Sequence, residues 1–372
     1  CGAAPGCTVP TINSLSIQRR ILEYTSILEI SLSRTDLLHF TAFYQHTHQM
    51  FYSFLALLVL CISQASSFST LITFDVDGTL VSSSPGWEMG AHGRSFTHAV
   101  NSVLMKKDDA AGGTIPQLLE KHEFHGSTDG LILMRLARKM LGESFDKEDA
   151  ASKLDLMMDT MYQFVSECND DEVRKGIAPL PGAIQTLETL ASYDDVAFGL
   201  VTGNVEGIAR RKMHALGIYD AGALTSLSKP PQLGGRVWEG MEDKRFLGGF
   251  GSDFCSGDID DPTRNYLDRG EQLAICVQRC VEELCHPDHQ IERVIHVGDA
   301  PADILAAKYY AHHPSKPKNV SVGVIGVATG SYSVDELRDL CGERIPGVWE
   351  PIILNEGVGV GNMEAFIRAC GL

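Results

Sequence analysis

Short apolar runs alternate with amphipathic stretches along most of this chain. Leu71-Ile72-Thr73-Phe74, Val196 to Val201, Arg293 to Val297 and Val320 to Val327 are rich in β-branched and aromatic residues, and each is short enough for a buried strand. Between them the apolar positions recur at helical spacing. The spacing predicts helices from Pro181-Gly182 through Leu190, from Val205 to about Leu216, from about Gly270 to Cys285 and from Ala302 to about Ala311. The segment 228–269 is crowded with Gly, Pro and Asp and reads as loops or a small hairpin. Strands separated by helices imply an α/β fold, a doubly wound parallel sheet with helices on both faces. The stretch 86–178 breaks this rhythm, with helical runs such as Leu131 to Leu141 and Ala151 to Val165 and no convincing strand. The expected organisation is therefore an α/β core of residues 70–85 and 179–372, interrupted by an α-helical insert over 86–178.

Residues 1–69 stand outside that pattern as an N-terminal extension. Numbering opens at Cys1, so residues 1–49 read as a fragment or as upstream sequence, and Met50 as a plausible start. It precedes an apolar run, Phe51 to Ile62, that ends in small residues and is short for a membrane span. Segment 51–68 resembles a signal or targeting peptide without its basic start, and Ala65-Ser66-Ser67-Phe68 resembles the Ala-Ser-Ala-Phe junction of plastid import. An ordinary N-terminal helix is the competing reading. The expectation is a protein with no stable membrane span once mature, cytoplasmic or plastid.

Composition changes this picture little. At 44% hydrophobic and 21% charged residues the chain is an ordinary globular one. A net charge of −17 argues against a nucleic-acid partner, which would require clustered Lys and Arg. It leaves room for a small phosphorylated substrate, because a bound divalent cation reverses the local field. The ten cysteines include no CxxC pair and no Cys/His group at zinc spacing. Cys276 and Cys280, four apart on an expected helix, read as buried small hydrophobes. The odd number of cysteines after residue 62 leaves one unpaired and favours a reducing compartment. His92, His98, His122 and His125 fall in the helical insert at spacings that make no metal-site pattern.

The chemistry gathers where apolar runs end. Asp75-Val76-Asp77-Gly78-Thr79 follows the first run; in extended chain, residues two apart face the same side, so both carboxylates address one site. Like charges so placed need a cation or a shared proton, and a hard oxygen-ligated cation is the simplest relief. Gly298-Asp299-Ala300-Pro301-Ala302-Asp303 follows another run, with Pro301 suited to a first helical turn and Asp299 and Asp303 four apart. Helix capping competes as an explanation for Asp303. Thr202-Gly203-Asn204 puts a hydroxyl and free N–H groups between strand and helix, a setting for an anion.

The set and its order resemble the haloacid-dehalogenase-like superfamily, in particular its phosphoglycolate-phosphatase-like group, over about residues 70–340. Gly93-Arg94-Ser95-Phe96 and Gly126-Ser127-Thr128-Asp129-Gly130 add to the likeness. The resemblance implies a Rossmann-like core with the insert as a helical cap, and a phosphatase acting on a small phosphorylated metabolite. Asp75 would be the nucleophile that becomes an aspartyl-phosphate, and Asp77 the acid and base. Mg2+ would be held by Asp75, Asp77 through its backbone carbonyl, Asp299 and Asp303. Thr202 would hold phosphoryl oxygens, with Gly78, Thr79, Gly203, Asn204 and Thr128 as further phosphate or substrate contacts. The family's basic residue is assigned to Arg269, at the opening of a helix, with Arg264 and Lys244 as rivals. Arg94 and the segment from Gly126 to Asp129 are candidate cap contributions. Asp77 argues against a metal-free 2-haloacid dehalogenase; a phosphomutase and a catalytically retired binding module are the alternatives.

Overall fold

The computed structural model describes residues 69–106, 114–193, 195–218, 247–283, 291–355 and 359–372. The targeting segment 51–68 and the rival basic residue Lys244 lie outside the described residues.

The first strand, β1 (Thr70–Phe74), is buried along its whole length, and two neighbours explain why it carries no polar face. It pairs in parallel with β4 (Val196–Thr202) on one side and β6 (Arg293–Gly298) on the other, with Phe74 level with Leu200 and Val297. Outward from these lie β5 (Leu247–Phe250), beside β4, and then β7 (Ser321–Gly326) and β8 (Trp349–Ile353), beyond β6. All pairings in this six-stranded sheet are parallel, in the order β5-β4-β1-β6-β7-β8. The two-residue alternation of each strand divides the core. Ile72 and Phe74 pack on one face, with Leu187, Ala209, Met213 and Phe366; Leu71 and Val294 pack on the other, with Leu273, Ile304, Tyr310 and Leu337. The sheet is thus covered on both sides, as its alternation with helices predicts.

Between β2 (Val81–Ser83) and β3 (Ile177–Pro179), which pair as an antiparallel ribbon, the chain is helical. This stretch holds α1 (Ala91–Val100), α2 (Ile115–Leu118), α3 (Lys121–Phe124), α4 (Asp129–Leu141), α5 (Lys147–Ser152), α6 (Leu154–Glu167) and α7 (Asp170–Arg174). Its apolar faces make a cluster of their own around Phe96, Leu133, Leu136, Met157 and Met161, which continues onto Val205 and Ile208 of the core. The remaining helices are α8 (Ala183–Leu190), α9 (Glu206–Ala215), α10 (Asn265–Glu283), α11 (Pro301–Ala311), α12 (Val334–Cys341) and α13 (Met363–Cys370).

Three expectations need correction. Segment 228–269 holds a parallel edge strand, β5, and not only loops or a hairpin. Its Gly248-Gly249 pair lacks strand propensity, yet a Cβ on Gly249 would lie 1.8 Å from the Gln272 carbonyl oxygen, so the close approach of α10 requires glycine there. Helix α10 begins at Asn265 and not near Gly270, so Arg269 lies in its second turn. A short 3-10 turn, Pro262–Arg264, leads in, with the Asp261 carboxylate accepting from the Thr263 N–H. The alternation also runs past Val327, through α12, β8 and α13.

Among the described residues no cysteine forms a disulfide, and Cys276 and Cys280 are buried. No helix among the described residues is long and apolar enough to cross a membrane.

Candidate active site

The carboxyl ends of β4, β1 and β6 lie side by side at the centre of the sheet, and each delivers polar residues to the same place. Asp75 follows β1, Thr202 closes β4, and Asp299 follows β6, with Asp303 in the first turn of α11. Carboxylate oxygens of Asp75, Asp299 and Asp303 come within 4.8 Å of one another, and all three residues are buried. The guanidinium of Arg269 reaches in from α10, its Nη1 donating to Asp75 Oδ1 at 2.5 Å and to the Val201 carbonyl at 3.0 Å, and lying 3.2 Å from Asp303 Oδ1. Beneath them Asp303 accepts from the Ala300 N–H at 3.0 Å and lies 3.3 Å from His296 Nε2, whose Nδ1 in turn meets Thr73 Oγ1 at 2.9 Å.

This arrangement divides the acids electrostatically. Burial pushes Asp75 up to about 6; Arg269 opposes the rise, and the charges of Asp303 and Asp77 add to it. Burial, with Asp303 and Asp75 alongside, raises Asp299 well above the usual carboxylate range. For Asp303 burial acts upward too, but Arg269, His296 and the Ala300 N–H outweigh it and hold the group below its ordinary value. Among the described residues, Thr79 donates to Asp299 Oδ1 at 3.3 Å. Three crowded oxygen donors with one cation between them form a set that a hard divalent ion would fit.

Asp77 faces elsewhere. Its two carboxylate oxygens accept from Lys212 Nζ of α9 at 2.9 and 2.8 Å, and Lys212 also donates to Asn204 Oδ1 at 2.8 Å. Burial again favours protonation of Asp77, but Lys212, His92 and Asn204 overcome it and depress its pKa. Lys212 escapes the sequence reading because it follows Arg210 and Arg211 and looks like part of a solvated run. Its signal is positional: it shares the buried stripe of α9 with Ile208, Ala209 and Ala215.

Two glycines let the loops close in. Gly78 has φ +90°, and a Cβ there would sit 2.4 Å from the Asp299 carboxyl; its carbonyl accepts from Thr329 Oγ1 at 2.5 Å. Gly203 lies against the loop before α4, where a Cβ would be 2.3 Å from the Ser127 carbonyl oxygen, and its own carbonyl accepts from the Asp129 N–H at 2.7 Å. Thr128 caps α4 by accepting from the Leu131 N–H at 3.2 Å and donates to Cys255 Sγ. Its neighbours Ser127 and Asp129, not Thr128, line the cavity described next. Arg264 lies apart, exposed and paired with Asp258, while Arg94 pairs with Glu172 in the helical layer.

A cavity of about 150 Å³ separates the strand ends from the helical layer. Asp75, Asp77, Thr202, Asn204, Arg269 and Asp299 form its floor, and Trp87, Phe96, Ile115, Phe124 and Ile132 supply apolar walls with His92, His125 and Lys175 among them. His92 Nε2 lies 3.2 Å from Asp129 Oδ2, which also accepts the Val205 N–H at 2.8 Å and so ties the insert to the start of α9.

Residues 70–310 match the family model for haloacid dehalogenase-like hydrolases. Phosphoglycolate phosphatase of Rhodospirillum rubrum is 31% identical over 150 residues, which cover 40% of this chain and 54% of the relative. The chain thus spans about half the length of that curated relative. Among solved structures, a predicted phosphoglycolate phosphatase from Haemophilus somnus 129PT is similar at 16% identity and a TM-score of 0.40, covering 81% of this chain and 98% of its own. A haloacid dehalogenase-like family protein from Streptococcus pneumoniae covers the same shares at 13% identity and a TM-score of 0.37.

Proposed function

Because the chain belongs to the haloacid dehalogenase-like hydrolases, we propose that it is a magnesium-dependent phosphatase that hydrolyses a small phosphorylated metabolite through a phosphorylated Asp75. The observation that carries this reading is the buried Asp75 at the end of the central strand, held by Arg269 beside Asp299 and Asp303 and two residues from Asp77.

In this reading the Asp75 carboxylate attacks phosphorus, while Thr202 and the N–H groups at the start of α9 receive phosphoryl oxygens. Arg269 holds Asp75 in place and offsets negative charge at the reacting centre. Asp77 gives a proton to the departing oxygen and takes one from the water that later attacks the phosphoaspartate. Asp75, Asp299 and Asp303 would hold the cation, with the Asp77 carbonyl added by family resemblance. When bound, that ion would neutralise charge on the phosphoryl group and on the acids around it. The helices between β2 and β3 would act as a cap that excludes water and reads the leaving group. Phosphoglycolate is the first substrate to try, on the strength of the relative's name.

The test is release of phosphate from an aryl phosphate by the full chain, with and without Mg2+, beside Asp75→Asn. Metal-dependent release that falls to background in the variant is expected, as is Mg2+-dependent trapping of beryllium fluoride by the parent protein. A folded protein that neither releases phosphate nor binds beryllium fluoride would refute the enzyme reading.

A further inference from the structure

The geometry points to Lys212 as a positioning residue for proton transfer: it holds the Asp77 carboxyl toward the leaving group, and Asn204 fixes Lys212 in turn. The inference rests on the phosphatase reading above and adds to it a residue that the nucleophile and cation sites do not include.

Lys212 is 2% exposed and lies at helical spacing with the buried Ile208, Ala209 and Ala215 of α9. An ammonium in that position is costly to bury, and an apolar side chain would pack there at less expense. Its three donors are spent on Asp77 Oδ1, Asp77 Oδ2 and Asn204 Oδ1. Among the described residues Asp77 is its only carboxylate partner. Asp77 lies at the other end of the pair with its side chain 36% exposed and lining the cavity. The buried lysine therefore grips the most exposed of the acids that the strand ends bring to the cavity. Asn204 completes the clamp from the turn after β4, so strand, turn and helix all fix one carboxyl.

The step this serves is balanced. Asp75 forms a bond to phosphorus while the bond from phosphorus to the ester oxygen breaks, and the electron pair stays on that oxygen. A proton on Asp77 moves to it, and the alcohol departs. Water then attacks the phosphoaspartate and returns a proton to Asp77, and inorganic phosphate is released. Through both halves one Asp77 oxygen can exchange the proton while the other stays hydrogen-bonded to Lys212.

Leaving groups separate this role from a structural one. 2,4-Dinitrophenolate departs without a proton, whereas the alkoxide of an alkyl phosphate needs one. For Lys212→Met, the expected result is a fall in kcat/KM, which reads the steps up to departure of the alcohol and not the later attack of water, of about 100-fold on an alkyl phosphate and of less than about threefold on 2,4-dinitrophenyl phosphate. Asp77→Asn should show the same selectivity, and the double variant should be no worse on the alkyl ester than Asp77→Asn alone. Activity on the activated ester also reports that the variant has folded. Should Lys212→Met fail to fold, Lys212→Gln keeps a polar head on the same helix position while removing the charge, and the same selectivity is expected of it in smaller degree. Equal losses on the two esters would overturn the role of Lys212 and leave the phosphatase reading standing. Absence of Mg2+-dependent hydrolysis of both esters by the parent protein would overturn both.

Discussion

Asp75 and Asp299 bind protons more tightly in the folded protein than in an unfolded chain, chiefly because both are buried. The consequence for stability has a definite sign. A carboxyl raised by folding stabilises the fold fully only below its ordinary pKa. For Asp75 that contribution is lost as pH rises from 3.8 through about 6, and for Asp299 it is likewise lost as pH rises above 3.8. Asp77 and Asp303 are lowered instead, so their contribution is present above the ordinary carboxylate pKa and is lost as pH falls below it. A divalent cation on Asp75 and Asp299 competes with exactly the protons that folding strengthens. Added Mg2+ should therefore raise Tm more at about pH 7.5 than at about pH 5, relative to chelator-treated protein. Scanning fluorimetry at the two pH values measures the difference, and equal shifts would count against these acids as the ion's ligands.

Helices α4 and α10 are joined by one side chain. Arg135 of α4 is buried and donates to the Glu123 carbonyl, to Ser127 Oγ and to Asn265 Oδ1 at 2.6, 2.9 and 2.8 Å. Asn265 begins α10, and Arg269 follows one turn later on the same face. Replacing Arg135 with Met leaves the buried Asn265 Oδ1 without that donor, while Ser127 Oγ keeps Asn265 Nδ2 and the Glu123 carbonyl keeps the Ser127 hydroxyl, at a cost of about 1–3 kcal/mol. Urea unfolding should show that loss, and turnover should fall with it, because α10 carries the guanidinium that meets Asp75. A lowered denaturation midpoint with full turnover would show that the helix holds Arg269 without help from α4. Much at this scale is legible in the sequence. The runs ending at Asp75, Thr202 and Asp299 announce themselves, because an apolar strand that stops at a polar residue leaves that residue at the sheet's edge. β5 hides, because packing against α10 demands the glycines that erase its strand pattern. The start of α10 hides as well, because Asp261 and Pro262 look like loop residues until the turn they shape is seen. Lys212 hides for a different reason: its partner Asp77 is 135 residues away, a separation that no local pattern carries.

Across the whole molecule, the strand that bears Asp75 is the first to be built and depends on the most distant partners. Beside it, Ser69 donates to Asp195 across 126 residues, and Thr73 meets His296 across 223. A sheet closed by such distant pairings orders slowly. Refolding from denaturant should accordingly take milliseconds to seconds or longer, and activity should return no sooner than the parallel sheet. Stopped-flow circular dichroism beside an activity assay tests this, and activity returning ahead of the sheet would contradict it. During synthesis the asymmetry becomes a matter of waiting. At roughly 5–20 residues per second, β1 leaves the ribosome about 10–45 s before β6 does. Until β4 follows, Thr70-Leu71-Ile72-Thr73-Phe74, an uncharged β-prone segment destined for the middle of the sheet, has both edges unpaired, and until β6 follows one edge stays open. The arrangement that places Asp75 at the centre of the finished sheet therefore makes its strand a segment of the nascent chain that a chaperone would have reason to cover.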